Sequence, residues 1–321
     1  MPADDTRLFI LSPGPHLSAD ESVEKIMWRV TMALLPALGW GIWSFGAAAL
    51  RVTAACVVSC VAVEAVVQKL LRKGVTVSDG SAVVTGLLLA FNLPSGVPLW
   101  MTAVGSVVAI AIAKQTFGGL GYNIFNPALI GRAFLMASYP VQMTTWRPYG
   151  AWDNVTGATP LGIIKEKLAL PLPSYMDMFL GRIGGCIGET STLLLLLGAA
   201  FLLVAGDITW HTPISFFGAL ALMSWLSGRD PLFAILAGGA VLGACFMATD
   251  MVTAPISGKG RLIFGAGCGL ITGAIRVWGG YPEGVCYAIL LMNAFTPIID
   301  RYTQPRRFGS RSKGQPRICA D

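Results

Sequence analysis

The chain has 321 residues, of which 54% are hydrophobic and 12% are charged. Soluble domains carry about twice this charged fraction, so the composition excludes an ordinary soluble protein and predicts a polytopic membrane protein. The net charge of +6 does not indicate nucleic-acid binding, because six basic residues lie after residue 300, where a positively charged cytoplasmic tail accounts for them.

Apolar segments along the chain predict about ten membrane-spanning helices, separated by charged residues, prolines and glycines. The predicted spans are residues 26–46, 48–68, 82–94, 97–114, 122–139, 191–206, 210–227, 232–249, 261–278 and 284–300. The third span ends in "FNLPSGVP" and the eighth in "FMATDMVTAP". Both sequences contain helix breakers, so we expect broken helices at these two places.

The positions of lysine and arginine predict how the chain is oriented. If residues 1–25 are cytoplasmic, the segments on that side hold fifteen of the 23 basic residues. This asymmetry follows the positive-inside rule, and an even number of spans returns the basic tail, residues 301–321, to the cytoplasm. The long loop of residues 140–190 then faces the periplasm of a bacterium, and the protein lies in the inner membrane.

The two predicted membrane blocks, residues 26–139 and 191–300, show the same order of features. "DGSAVVTGLLLAFNLP" in the first block parallels "DPLFAILAGGAVLGACFMATD" in the second, and "GYNIFNPALIGRAF" parallels "GYPEGVCYAILLMNAF". Five spans per block invert the second copy relative to the first. The predicted fold class is therefore an all-α polytopic membrane protein with about ten transmembrane helices in two inverted five-helix repeats with broken helices.

The stretch "DNVTGATPLG", from Asp153 to Gly162, allows three interpretations. Thr159 followed by proline is typical of a helix N-cap with proline at the first helical position. Asn154 begins a glycosylation sequon, although nothing else indicates a eukaryotic secreted protein. The third interpretation is covalent chemistry, because small neighbours leave a threonine hydroxyl open to a transferase.

Several long motifs occur together in one order along the chain. They are "SDGSAVVTGLLLAFNLP", "GGLGYNIFNPALIGRAF", "DNVTGATPLG", "FLGRIGGCIGETS", "FMATDMVTAPIS" and "GRLIFGAGCGLITGAIRVWGGYPEGVCYAILLMNAFTPIIDR", followed by "QPR". On these motifs the chain resembles the D subunits of Rnf-type ion-translocating electron-transport complexes. It is also similar to the related B subunits of sodium-translocating NADH:quinone reductases.

The resemblance implies a cofactor and its attachment point. In this family an Asp-x-x-[Ser/Thr]-Gly-Ala-Thr run carries FMN through a phosphoester to the last threonine. Asp153, Thr156, Gly157, Ala158 and Thr159 match this run, with Thr156 where serine is more usual. The resemblance therefore implies covalent FMN on Thr159, installed by a flavin transferase. If Thr159 is also the N-cap, the phosphate lies at a helix N-terminus, which favours an anion.

The same resemblance implies what the protein does. It implies a subunit of an ion-translocating oxidoreductase that links ferredoxin and NAD redox chemistry to Na⁺ or H⁺ transport and is not active without its partner subunits. A second, noncovalent flavin between the repeats is a further expectation. The alternatives are a channel or transporter without redox activity, for which inverted repeats are equally suited, and a scaffold that is never flavinylated.

A few polar residues within or beside the predicted spans also allow specific expectations. Glu64 is expected to pair with Lys69 or reach the interface, although a role in a proton or cation relay is an alternative. Arg132 is expected to face the protein interior, where it could neutralise an anionic cofactor. Asp79 and Asp250 are expected to cap broken helices, or else to line a cofactor or ion site. Glu189 is expected to be a packing feature at the outer surface. The two histidines lie far apart in the sequence, so we expect no histidine-rich metal site.

Overall fold

The computed structural model describes residues 21–150, 157–189, 191–281 and 283–304. In these residues the secondary structure is helical, and the β-type pairing consists of two isolated bridges, Pro94 with Cys186 and Trp146 with Gly157. The α-helices are α1 (Val23–Phe45), α2 (Ala47–Leu70), α3 (Ser81–Phe91), α4 (Leu99–Val107), α5 (Pro127–Ser138), α6 (Pro140–Met143), α7 (Pro160–Lys165), α8 (Tyr175–Leu180), α9 (Thr192–Ala205), α10 (His211–Leu226), α11 (Pro231–Leu236), α12 (Ala240–Leu242), α13 (Gly258–Trp278) and α14 (Val285–Thr303).

Three of these helices, α1, α2 and α13, are long and apolar enough to cross a membrane. About 20 apolar residues are needed to span the hydrocarbon core, and these helices meet that length. The described chain is therefore an all-α membrane protein. Each of the ten predicted spans overlaps a helix. That all ten cross the membrane, and that they form two inverted repeats, stay predictions.

The helices of the third and eighth predicted spans are short or divided, as expected from their sequences. α3 ends at Phe91, two residues before the Leu93–Pro94 break. The eighth span consists of α11, α12 and the π-helical turn Gly243–Met247. Between α11 and α12, Gly238 and Gly239 have φ angles of 67° and 64°, which are costly for residues with a side chain. This glycine turn was not predicted from the sequence.

One continuous hydrophobic core joins residues from both halves of the chain, including Leu34, Phe91, Phe216 and Phe264. Small residues allow close helix contact within it. At Gly269 of α13, an added Cβ would overlap the carbonyl oxygen of Phe216 on α10. Such small-residue contacts are typical of helix pairs in membranes, where backbones pack directly on one another.

The described part of the long loop, residues 140–150 and 157–189, carries a second, smaller hydrophobic cluster. Leu161 of α7, Met178 of α8 and Ile183 pack in it against Phe233 and Ala237. This cluster attaches the loop to the broken eighth span, and it fixes where α7 begins relative to the membrane helices.

Candidate functional site

The predicted flavin-attachment run is only partly described, because Asp153 and Thr156 lie outside the described residues. The N–H group of Gly157 donates a hydrogen bond to the carbonyl oxygen of Trp146, at 2.9 Å. A Cβ at Gly157 would lie 2.9 Å from Cγ of Pro148, closer than real Cβ atoms approach a neighbour. Gly157 therefore lies directly against the segment 146–148.

Thr159 is the N-cap of α7, as the first interpretation of this stretch predicted. Its backbone is extended, with φ −72° and ψ 157°, and its hydroxyl oxygen accepts a hydrogen bond from the N–H group of Gly162 at 3.1 Å. Pro160 occupies the first helical position, where its missing N–H group costs nothing. The side chain of Thr159 is only 5% exposed. A transferase could therefore reach the hydroxyl only if the segment around Thr159 moves outward.

A cavity of about 260 Å³ begins one turn along α7 from Thr159. Most of its walls are apolar and aromatic side chains from α7, α8, α11 and α13, and α10 contributes Ser224. The apolar and aromatic side chains include Leu161, Ile164, Leu172, Tyr175, Phe233, Ala234 and Val277. Walls of this kind suit a flat aromatic group.

Three cations, Lys165, Arg229 and Arg276, and one carboxylate, Asp230, line the same cavity. The Nζ group of Lys165 donates to the carbonyl oxygens of Gly279 and Tyr281, and Arg229 donates to the carbonyl oxygen of Arg276. Partial burial and the nearby Arg229 lower the pKa of Lys165. Two cations held this close favour an anionic group between them. The described residues thus fit an FMN anchored at Thr159, with a hydroxyl for the ester and cations for its charge.

A buried cluster of charged side chains lies below the long loop. Arg132 of α5 faces the protein interior, as expected, and forms an ion pair with Glu283. It also donates to Oδ1 of Asn92 at 2.5 Å. The sulfur of Cys186 and one carboxylate oxygen each from Glu189 and Glu283 all lie within 4.8 Å of one another. Glu189 is therefore part of a buried cluster, and the expectation that it lies at the outer surface was wrong.

Arg276 of α13 completes this cluster in an unusual way. Its guanidinium group donates to four backbone carbonyl oxygens, those of Glu283 at 3.0 Å, Ala234 at 2.5 Å, Ala237 at 3.0 Å and Gly238 at 3.1 Å. No role was predicted from the sequence for Arg276 or Glu283. Two charged residues seven positions apart, one within and one beside an apolar span, were the signal that could have revealed them.

The sequence as a whole was also compared with known protein families. Residues 10–309 match the sequence pattern of the NQR2, RnfD, RnfE family. The chain belongs to this family. The resemblance that the motifs indicated is therefore confirmed.

Relatives in the NQR2, RnfD, RnfE family align with almost the whole chain. The D subunit of the proton-translocating ferredoxin:NAD(+) oxidoreductase complex of Clostridium ljungdahlii is 50% identical, with 95% of this chain and 97% of the relative aligned. The D subunit of the Na(+)-translocating ferredoxin:NAD(+) oxidoreductase complex of Acetobacterium woodii is 51% identical, over 93% and 95%. The D subunit of the ion-translocating oxidoreductase complex of Stutzerimonas stutzeri is 40% identical, over 93% and 96%.

In this family member, Glu64 does not pair with Lys69, and that expectation was wrong. Glu64 is 1% exposed, and its Oε1 and Oε2 atoms lie 2.7 Å and 3.0 Å from Nζ of Lys114. Gln115 donates to the same carboxylate at 2.8 Å. Lys114 and Gln115 lie on the π-helical segment Val108–Gln115, which carries them toward α2. The sequence does not show which cation Glu64 reaches, because the pair is 50 residues apart.

Of the two aspartates next to broken helices, Asp79 bonds to the first residue of α3, as expected of a residue at a helix start. No helix begins at Asp250, which bonds within a turn before α13, so the expected cap was wrong there. Asp79 accepts hydrogen bonds from the backbone N–H and the hydroxyl group of Ser81, at 2.8 Å and 2.6 Å. Asp250 accepts from the hydroxyl group of Thr253 at 3.0 Å. Asp250 also lines an inner cavity of about 80 Å³ between the two halves of the chain, together with Lys114 and Asp207. Asp250 therefore combines hydrogen bonds within a turn with cavity lining.

Proposed function

We propose that the chain is the D subunit of an ion-translocating ferredoxin:NAD(+) oxidoreductase complex and carries FMN covalently bound to Thr159. The relatives with this name share about half of their residues with the chain over nearly its full length. The observation that carries the flavin proposal is the position of Thr159. It combines a buried hydroxyl at a helix start with a neighbouring cavity lined by Lys165 and Arg229.

The topology that accompanies this proposal is the one predicted from the basic residues. Ten spans form two inverted repeats in the bacterial inner membrane, both termini are cytoplasmic, and the long loop is periplasmic. Helices at all ten expected positions and broken helices at both expected places support this topology. The loop position agrees with modification by a flavin transferase after insertion of the chain into the membrane.

Bound FMN would supply the capacity to accept and donate electrons, while the protein supplies position and electrostatic environment. Thr159 fixes the phosphate end. The apolar walls next to α7, including Leu161 and Phe233, exclude water from an aromatic ring. Lys165 and Arg229 stabilise negative charge there. Electrons and ions reach the chain through the other membrane and peripheral subunits, so we expect no turnover by this chain alone.

The test compares the parent chain, Thr159→Ala and Thr145→Ala, each coexpressed with an active flavin transferase. Thr145 is a matched control, because it is an exposed threonine of the same loop outside the attachment run. We expect fluorescence on a denaturing gel and an FMN-sized increase in intact mass for the parent and for Thr145→Ala. Thr159→Ala should lack both. A dark, unmodified parent would contradict the flavin proposal.

A transporter or channel without redox activity is the second candidate function. It is favoured by the inner cavity, which Lys114, Asp207 and Asp250 line between the two halves of the chain. The predicted noncovalent flavin would belong in the same place, where the lining side chains would have to move apart because the cavity of about 80 Å³ is smaller than a flavin ring. Acid extraction of the purified protein distinguishes the two kinds of flavin, because it releases a noncovalent flavin and leaves a covalent flavin attached to the chain.

A further inference from the structure

The two arginines of the buried cluster below the long loop differ in their partners. Arg132 has a direct carboxylate partner, Glu283. Arg276 has none among its hydrogen bonds to described residues, and its guanidinium is instead surrounded by four backbone carbonyl oxygens. These oxygens satisfy the N–H groups of Arg276 but do not remove its positive charge. Arg132 is therefore the cation that pairs directly with a carboxyl group, and Arg276 adds its charge from a position without a direct carboxylate contact.

Glu283 provides a second, independent observation. The residue is 9% exposed, and its Oε1 atom is buried without a hydrogen-bond partner among the described residues. A buried carboxylate oxygen without a partner is costly. The carboxylate of Glu189 is close, since one oxygen of each side chain lies within 4.8 Å of the other. A proton between the two carboxyl groups would give the free oxygen a partner and leave one negative charge opposite Arg132.

We propose that Glu189 and Glu283 form a proton-binding site in which one proton is shared by the two side chains. A metal ion between these carboxylates and Cys186 fits less well, because Arg132 already occupies one carboxylate and repels a divalent cation. The charged and titratable groups that face the pair come from several elements. They are Arg132 of α5, Arg276 of α13, Cys186 beside Glu189, and Cys286 of α14.

The glycine turn between α11 and α12 connects this site to the attachment helix. A Cβ at Gly238 would overlap Leu161 of α7 on one side and lie 3.0 Å from Nη2 of Arg276 on the other. A Cβ at Gly239 would lie 2.9 Å from Oε1 of Glu189. The turn therefore lies between α7, which begins after Thr159, and Glu189 of the carboxyl pair, and it is in contact with both.

This proximity gives the proton site a role that rests on the proposed function. If FMN is anchored at Thr159, an electron supplied by neighbouring subunits would add negative charge there, and the low dielectric would extend the effect of this charge to the carboxyl pair. The pair would then bind a second proton from the aqueous phase, which offsets the added charge. Once the electron has passed to the next carrier, the pair would release this proton to the solvent.

The first test uses the stability of full-length chains in lipid nanodiscs. If one proton is shared, either Glu189→Gln or Glu283→Gln removes only the shared proton and keeps the net charge of the pair. Each single variant should therefore have a thermal transition near that of the parent. Glu166→Gln is the control, because Glu166 is exposed. The double variant leaves Arg132 unbalanced and should lower the transition by roughly 5 °C or more. A large destabilisation by each single variant would overturn the proposal, because it would show that both carboxylates are ionised.

The second test uses infrared spectra at neutral pH. We expect a carboxylic-acid C=O band that shifts in D₂O, persists in Glu166→Gln and Thr159→Ala, and disappears in each single glutamine variant. Persistence of the band in both glutamine variants, or a stoichiometric metal in the purified chain, would overturn the proton site. The band is expected in Thr159→Ala, which lacks the proposed flavin anchor. The proton site can therefore be confirmed even if the flavin proposal is wrong.

The redox link has its own outcome in the assembled complex. Chemical reduction should add a second carboxylic-acid band in the parent, and Thr159→Ala should show no such change. A flavin-loaded parent whose carboxyl bands do not respond to reduction would contradict the link, even where the shared proton itself is confirmed.

Discussion

Thr159 has two tasks that different substitutions can separate. As an N-cap it accepts a hydrogen bond from Gly162, and as the proposed anchor it offers a hydroxyl for the ester. Asparagine caps helices well but has no hydroxyl group. We therefore expect Thr159→Asn and Thr159→Ala both to lack covalent flavin, while only the alanine variant loses about 1 kcal/mol of local helix stability.

Hydrogen exchange of the α7 amides measures the cap, and gel fluorescence measures the flavin in the same preparations. Faster exchange in Thr159→Asn than in Thr159→Ala would contradict the role of the side chain as the cap.

Glu64 and Lys114 form a buried ion pair whose removal on one side is costly. The side chains are 1% and 2% exposed, so Lys114→Met would leave an uncompensated carboxylate in the interior. We expect a loss of roughly 3–5 kcal/mol in the free energy of unfolding, and recovery of most of it when Glu64→Gln is added. Thermal unfolding in detergent measures both changes.

Lys69→Met is the matched control for this pair, because Lys69 is exposed on the same helix as Glu64. Equal destabilisation by Lys69→Met and Lys114→Met would show that the assignment of the partner is incorrect.

At the scale of helices, the contact between α10 and α13 depends on glycines that face the opposite backbone. Gly269 has no room for a Cβ next to the carbonyl oxygen of Phe216. Gly269→Ala should therefore separate the two helices and cost about 1–3 kcal/mol. Gly218 of α10 has nothing within 4 Å of its Cβ position, so Gly218→Ala should cause no loss.

Thermal unfolding of the two alanine variants checks this pair, since the substitutions are chemically identical and differ only in the space available. A Gly269→Ala variant as stable as Gly218→Ala would show that α10 and α13 do not pack as closely as described.

At the scale of the molecule, local patterns predicted local structure well. The apolar segments placed helices correctly, and the Thr-Pro pair at residues 159–160 predicted the N-cap of α7, because both signals lie within one helical turn. The pairing of charged residues could not be predicted in this way. Arg132 and Glu283 are 151 residues apart, and which charges meet depends on how distant helices pack.

The same reasoning applies to the candidate site. Thr159 followed from a motif, whereas the cavity with Lys165 and Arg229 is assembled from five separate helices. The glycine turn at Gly238 and Gly239 was missed because two glycines within an apolar segment do not by themselves distinguish a turn from close helix packing. The sequence therefore predicted the anchor, and the fold was needed for its surroundings.

The most direct test of the central claim is to locate the flavin on the chain by peptide mass spectrometry. Trypsin should release residues 133–165 as one peptide, since Arg147 precedes a proline, and this peptide contains four threonines. Fragmentation of the flavin-loaded peptide should place the FMN increment on Thr159. An increment on Thr144, Thr145 or Thr156, or no increment despite an active transferase, would contradict the account.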